Sequence, residues 1–142
     1  MNYFFKLNAV SALYGFLFFT LLELQLNYYR IVRLTGWESK TIDTLLLVVH
    51  LIAFVTASLL LYKLTCKWLG CRRANYWTML FWLPYAVLFL ILFAIAFPIT
   101  NQGDMPAPVQ GLILLAQLIS YPFCIGFLNL LYHVQNSDIV QI

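Results

Sequence analysis

The sequence predicts an all-α integral membrane protein whose four transmembrane helices form a compact up-down bundle. Of its 142 residues, 63% are hydrophobic and only 9% are charged, whereas about a quarter of the residues in ordinary globular proteins carry charge. So few charges cannot make a hydrated surface, and most of the surface must therefore face lipid. The basic residues are spread along the chain, so the sequence lacks the clustered basic patch of a nucleic-acid-binding protein.

Four apolar runs are each long enough to cross roughly 30 Å of hydrocarbon as an α-helix. They extend over about residues 8–28, 44–64, 77–99 and 109–132. What remains is a short N-terminus, three connections and a polar tail, which leaves no room for a separate soluble domain. We therefore expect a single transmembrane domain over residues 1–142.

The first run has the general order of a cleavable signal peptide, because Lys6 precedes an apolar stretch. No small-residue cleavage site follows, and the run continues to an aromatic and basic cluster, Tyr28-Tyr29-Arg30, that is typical of an interfacial anchor. We expect the segment to be retained as the first span. The four runs share no spacing of polar residues, so an inverted-repeat transporter is not indicated.

The distribution of basic residues predicts the orientation, because Lys and Arg near helix ends are retained in the cytoplasm. With four spans, the N-terminus, the middle connection and the C-terminus share one side of the membrane. That side carries Lys6, Lys63, Lys67, Arg72 and Arg73. The opposite side carries Arg30, Arg33 and Lys40, together with the acidic residues Glu38 and Asp43. We therefore expect both termini in the cytoplasm and the protein in the plasma (inner) membrane.

The middle connection is a basic cytoplasmic loop in this topology, because Lys63, Lys67, Arg72 and Arg73 lie there without an acidic neighbour. Each basic group near an anionic leaflet contributes about 1 kcal/mol of attraction. The simpler interpretation is that these residues set the topology and contact lipid head groups. The sharper interpretation is that they dock an acidic partner.

Three polar side chains interrupt the spans: Glu23, His50 and Gln117. Counting about 1.5 Å per residue from the helix ends on the outer side places all three at a depth of roughly 8 to 12 Å. An ionisable side chain at that depth is costly unless it is paired or faces the bundle interior. The sequence therefore predicts a shared polar layer, in which Glu23 and His50 contact each other directly, through a water, or through Gln117.

Two interpretations of this layer remain open. In the first, the pairing only satisfies the polar groups and fixes the register of the helices. In the second, the layer accepts protons or binds a polar head group or a quinone, because intramembrane ionisable residues mark such sites.

The third run differs from the others in being almost entirely Leu, Phe and Ile between Val87 and Phe97. We expect this surface to face lipid or a partner span. Pro84, Pro98 and Pro122 are expected to be kinks or helix-end features, which transmembrane helices tolerate when neighbours satisfy the freed backbone groups.

The three cysteines do not predict a disulfide framework. Cys66 and Cys71 lie in the middle connection, where a reducing cytoplasm argues against a bond, and Cys124 lies inside the fourth span. A zinc site of Cys66, Cys71 and His133 would lack the fourth ligand and the tighter spacing of structural sites. We expect free thiols, with S-acylation of Cys66 or Cys71 as an alternative.

The sequence predicts no catalytic, cofactor or metal site. The two histidines, His50 and His133, fall at opposite membrane faces, so they cannot bind one haem between them. Ser58 and Ser120 have no candidate base at their depth and no Gly-rich elbow around them. This pattern argues against an enzyme without excluding one.

The small size of the chain ranks the remaining functions, because 142 residues leave little room for an active site with water-excluding walls. The first expectation is a non-catalytic accessory, assembly or regulatory subunit of a larger membrane complex, with the lipid bilayer and another membrane protein as partners. One alternative is a small membrane enzyme or redox subunit that binds a lipid or quinone at the layer of Glu23 and His50. The other is a proton- or ion-conducting oligomer.

Overall fold

A computed structural model describes residues 2–70 and 72–137, with side chains up to residue 135. The α-helices in this part of the chain are α1 (Tyr3–Leu26), α2 (Tyr28–Thr35), α3 (Ser39–Trp68), α4 (Thr78–Ala96) and α5 (Pro108–Ser137). Two short 3-10 turns, Arg73–Trp77 and Gln102–Asp104, precede α4 and α5. The helices α1, α3 and α5, and α4 with its preceding turn, are long and apolar enough to cross a membrane. This confirms the predicted all-α architecture with four spans.

The spanning helices extend beyond some of the apolar runs that predicted them. α3 begins at Ser39 rather than near residue 44, and α5 continues to Ser137 rather than ending near residue 132. Helical hydrogen bonding continues where polar side chains reach an aqueous interface, so hydropathy alone makes both helices too short. α4 instead ends at Ala96, because the ring of Pro98 disfavours the helical conformation of the residue before it. Pro84 and Pro122 lie inside α4 and α5.

Helix α2 is an addition to the predicted architecture, because its eight residues lie in the first connection directly after α1. Apolar and basic side chains lie on different sides of this short helix, a pattern typical of a helix at a membrane interface. Gly36 ends the helix with a φ of 67°, a left-handed conformation that glycine adopts without the steric cost of a Cβ. α2 packs against the Gln102–Asp104 turn, so it joins the first connection to the third.

The helix α1 is the centre of the bundle and packs against α3, α4 and α5. Its buried residues follow one helical stripe, at intervals of one, three or four positions: Leu7, Val10, Ser11, Tyr14, Gly15, Phe18 and Leu22. α1 and α4 are in close contact at Gly15, where a Cβ would lie 2.7 Å from the carbonyl oxygen of Trp82 and 2.9 Å from the backbone nitrogen of Ala86. Only a residue without a side chain permits this approach of the two backbones.

The segment from Val87 to Phe97 faces two ways rather than only outward. On one side, Leu90 packs against the core and the ring of Phe93 lies 5.9 Å from that of Phe19. On the other side, several large apolar side chains are exposed, Ile95 most of all. The predicted lipid-facing or partner-facing surface is therefore one half of α4, and the other half is its contact with α1.

A buried polar network joins α1, α4 and α5 at the end of the bundle that holds the N-terminus, which we call the N-terminal end. The side-chain amide of Asn129 donates to Thr78 Oγ1 at 3.0 Å, and that hydroxyl donates to the carbonyl oxygen of Asn75 at 2.7 Å. The Tyr3 hydroxyl donates to Asn75 Oδ1 at 2.7 Å. We call the opposite end of the bundle the α2 end.

Candidate functional site

His50 in α3 contacts its own helix through Nδ1 and α1 through Nε2. Nδ1 lies 2.7 Å from the carbonyl oxygen of Leu46, and Nε2 lies 3.0 Å from the carbonyl oxygen of Leu21 and 3.2 Å from Gln25 Nε2. A neutral imidazole with its proton on Nδ1 donates to Leu46 and accepts at Nε2 from the Gln25 amide, but makes no hydrogen bond to the Leu21 carbonyl oxygen. A ring protonated on both nitrogens would donate to Leu46 and Leu21. In either state, a hydrogen bond at Nε2 joins α3 to α1.

Glu23 lies on a different side of α1. Its Oε2 accepts a hydrogen bond from Asn27 Nδ2 at 2.7 Å. Together with Arg30 and Phe97, among others, Glu23 lines a groove between the end of α1, α2 and α4. Within the described part of the chain no hydrogen bond or ion pair joins Glu23 to His50. The predicted direct contact between them is therefore wrong.

The direction of each side chain around α1 explains this separation. Leu21 and Gln25 are four residues apart and share a face, whereas Glu23 is two residues from each and is rotated by about 200°. Because α3 packs beside Leu21 and Gln25, Glu23 is turned toward α2 and α4. Glu23 and His50 lie at a similar depth, as predicted, but they point to different sides of α1. The predicted polar layer is therefore two separate sites.

His50 and Gln117 do come together, on the walls of one cavity of about 340 Å³ between α1, α3 and α5. The apolar walls are formed by Phe18, Leu21, Leu47, Leu51 and Phe54. Near Tyr62, Tyr132 and Gln135, at the N-terminal end, α3 and α5 touch each other. The cavity lies between the same two helices further toward the α2 end.

The polar groups of the cavity differ in whether they already have partners. The Tyr121 hydroxyl donates to the carbonyl oxygen of Tyr14 at 2.7 Å, and the Ser120 hydroxyl donates to the carbonyl oxygen of Ala116 at 2.8 Å. Gln117 is half-buried and forms no hydrogen bond with the residues that the structure describes. Its amide therefore offers a donor and an acceptor to a molecule that enters the cavity.

An ion-pair cluster at the α2 end fastens the third connection to α2. Arg33 donates from Nε and Nη2 to the two carboxylate oxygens of Asp104 at 2.8 and 2.7 Å, and Arg30 donates to the carbonyl oxygen of Pro98 at 2.8 Å. The hydrogen bonds from Arg33 hold the pKa of the Asp104 carboxyl below its usual range. In turn, the hydrogen bond with Asp104 raises the pKa of Arg33. The cluster forms a structural clasp between two connections.

The four basic residues predicted in the middle connection are all exposed at the N-terminal end, but Lys63 and Lys67 lie in the last turns of α3 and only Arg72 and Arg73 follow the helix. The guanidinium of Arg72 lies 4.8 Å from the centre of the Tyr3 ring, a cation–π contact that places it beside α1. At the α2 end, the basic residues are matched in number by acidic ones: Arg30, Arg33 and Lys40 against Glu38, Asp43 and Asp104. The positive charge that attracts acidic groups is therefore concentrated at the N-terminal end.

The remaining thiol and imidazole groups that the structure describes lie on α3 and α5. Cys66 is half-buried in α3, Cys124 lines the cavity with His50, and neither is in a disulfide; Cys71 lies outside the described residues. His133 is on α5 next to Tyr132, at the N-terminal end. In residues 2–70 and 72–137, no three His, Cys, Asp or Glu side chains come close enough to hold a metal ion.

Four structural residues were missed by reasoning from the sequence: Gln25, Asn75, Asp104 and Asn129. Asn129 could have been predicted to be structurally important from the sequence, because it is a polar side chain inside the fourth apolar run. The roles of Gln25 and Asp104 could not be predicted from the sequence, because their partners lie on other helices. No family model, curated protein or solved structure matches the chain. Its function is therefore inferred from its own side chains and surfaces.

Proposed function

We propose that this protein is a non-catalytic accessory, assembly or regulatory subunit of a larger membrane complex. The observation that carries the proposal is the exposure of α3, a helix of 30 residues. Between Asp43 and Leu60 none of its side chains is buried. Lipid chains are as apolar as leucine, so a transmembrane helix is held in place by close packing and polar bonds. Over most of its length, α3 makes few such contacts with its own bundle.

The outward side of α3 has a spacing that suits a partner helix. Leu45, Val48, Ile52, Val55 and Leu59 recur at intervals of three and four residues, the repeat that aligns side chains along one seam between packed helices. All five are exposed. We call them the outer seam, and a transmembrane helix of a partner would bury them.

The basic N-terminal end indicates the charge of such a partner. Lys63 and Lys67 continue α3 beyond the outer seam, and Arg72 and Arg73 follow directly. A partner helix lying on the outer seam would emerge beside these four cations. An acidic segment at the end of that helix would gain attraction from them, and this would add to the packing of the seam.

The test places a photo-reactive amino acid at Ile52, in the middle of the outer seam. The matched control carries it at Ile95, an equally apolar and exposed position on α4. After irradiation in native membranes and purification in mild detergent, mass spectrometry identifies the adducts. We expect one protein to be cross-linked from Ile52 and only lipid from Ile95. Lipid adducts alone from both positions would contradict docking through α3.

A charge reversal tests the acidic character of the partner. In the double variant Arg72→Glu and Arg73→Glu, we expect the protein cross-linked from Ile52 to be lost from the purified complex, because attraction becomes repulsion. Cysteine labelling of the same variant checks that its topology is unchanged. If the partner co-purifies unchanged with the variant, the basic residues do not dock it and contact lipid head groups instead.

A further inference from the structure

We propose that the cavity lined by His50 and Gln117 binds a neutral, lipid-soluble molecule whose polar end carries a carbonyl or hydroxyl group. The cavity opens between α3 and α5, with α1 as its floor. The outer seam lies on another side of α3, so a protein docked on the seam would leave the cavity free.

The size and walls of the cavity suit a small apolar ligand. Its volume is about 340 Å³, and sites for small molecules and cofactors typically measure about 300–1,000 Å³. Phe18, Leu51 and Phe54 supply aromatic and aliphatic surface from two helices. A hydrocarbon chain or a ring would pack against these side chains and fill space that no side chain of the described residues occupies.

The polar side of the cavity selects the chemistry of the ligand's head. The hydroxyl protons of Ser120 and Tyr121 are already donated to backbone carbonyls. The amide of Gln117 has both its N–H groups and its oxygen available. An amide left without partners in apolar surroundings is costly. A carbonyl oxygen of the ligand would accept a hydrogen bond from the Gln117 N–H. A hydroxyl group could accept from that N–H and also donate to the Gln117 oxygen.

A charged head group does not suit this cavity. No Asp, Glu, Lys or Arg lines it, and Glu23 faces a different groove. The ring nitrogens of His50 are engaged by Leu46, Leu21 and Gln25. A charge would therefore lose its hydration without gaining a counter-charge. A long-chain alcohol and a quinone both meet the requirement for a neutral hydrogen-bonding head.

The test uses the full-length protein in phosphatidylcholine vesicles with a photo-activatable long-chain alcohol whose reactive group is next to the hydroxyl. We expect saturable labelling of residues 47–54 and 117–124, and competition by excess decyl-benzoquinone. A photo-activatable fatty acid of equal length should label these segments at least tenfold less at alkaline pH, where its carboxyl group is ionised even at a membrane surface. If labelling of these segments rises linearly with probe concentration and equals the labelling at exposed Ile95, the probe is only in contact with bulk lipid. This result would overturn the proposal. Equal labelling by the fatty acid would overturn the neutral head.

Variants then test the role of the amide. Gln117→Leu should raise the half-saturating probe concentration about three- to tenfold, the loss expected for one hydrogen bond. Gln110→Leu makes the same change two turns earlier on the same side of α5, outside the cavity, and should leave labelling unchanged. Ser120→Leu places a larger side chain on the cavity wall and should abolish labelling. Wild-type labelling of either Gln117→Leu or Ser120→Leu, in protein that remains monodisperse in detergent, would refute the site.

Discussion

Replacing Gly15 with alanine should loosen the contact between α1 and α4. A Cβ at this position would lie 2.7 Å from the carbonyl oxygen of Trp82 and 2.9 Å from both the Ala86 nitrogen and the Tyr85 Cβ. Carbon atoms are normally about 3.5–4.0 Å from such neighbours. The two helices would therefore have to separate by about 1 Å, because backbone atoms cannot rotate out of the way as the end of a side chain can.

The expected magnitude is the difference between two opposing effects. Overpacking of a close contact lowers the free energy of unfolding by about 1–3 kcal/mol. The higher helix propensity of alanine relative to glycine raises it by up to about 1 kcal/mol. We expect the free energy of unfolding of Gly15→Ala to fall by about 1–2 kcal/mol, which is roughly a 5- to 30-fold change in the folding equilibrium.

The assay is equilibrium unfolding in mixed micelles, with two other helical glycines as matched controls. At Gly126 a Cβ would meet the flexible end of Met79, with its Cε at 2.9 Å, and at Gly111 it would meet nothing within 4 Å. Gly126→Ala should therefore lose less stability than Gly15→Ala, and Gly111→Ala should lose none. If Gly15→Ala unfolded at the same detergent fraction as Gly111→Ala, the close approach of α1 and α4 would be refuted.

Three further predictions concern the two ends of the bundle. The ion pair with Arg33 lowers the pKa of Asp104 in the folded protein. The ion pair therefore stabilises the fold fully above the ordinary aspartate pKa of about 3.9. This stabilisation is lost as the pH falls through the lower pKa of the folded state. In Asp104→Asn, the free energy of unfolding should no longer fall with pH in this acidic range. The same pH dependence in the variant and the wild type would count against the ion pair. Asn129→Leu should lower the free energy of unfolding by about 0.5–1.5 kcal/mol. Combined with Thr78→Val, its effect should be less than additive, and strict additivity would contradict their hydrogen bond. In intact cells, we expect Cys66 to be labelled only by membrane-permeant reagents and a cysteine at exposed Gln102 to be labelled from outside; the reverse pattern would invert the predicted orientation.

The four spans were predictable because a hydrocarbon layer imposes its thickness on each helix, and a run of about twenty apolar residues is a signal that few other structures share. The helix α2 was not predictable in the same way. It has only eight residues, two of them arginine, and it is stabilised by packing against a turn that comes much later in the sequence. Its amphipathic pattern is too short to distinguish from a polar connection.

The polar layer shows what counting along helices can and cannot predict. Gln117, Ser120 and Cys124 recur at the spacing of one helix face, and these side chains line one cavity with His50. Glu23 was grouped with His50 and Gln117 by its depth, and depth says nothing about direction around α1. Which face of one helix meets another depends on tertiary packing, here set by the approach of α1 and α4 at Gly15.

The clasp between α2 and the third connection has a consequence for the synthesis of the chain. Arg33 and Asp104 are 71 residues apart, so at about 5–20 residues per second roughly 4 to 14 s pass before the arginine meets its partner. Until then, the first two spans form a hairpin with equal numbers of basic residues at its two ends: Lys6, Lys63 and Lys67 against Arg30, Arg33 and Lys40. Charge does not decide the orientation of this nascent hairpin. We expect the next two basic residues to be made, Arg72 and Arg73, to add to the end that carries Lys63 and Lys67 and so to favour retention of that end in the cytoplasm.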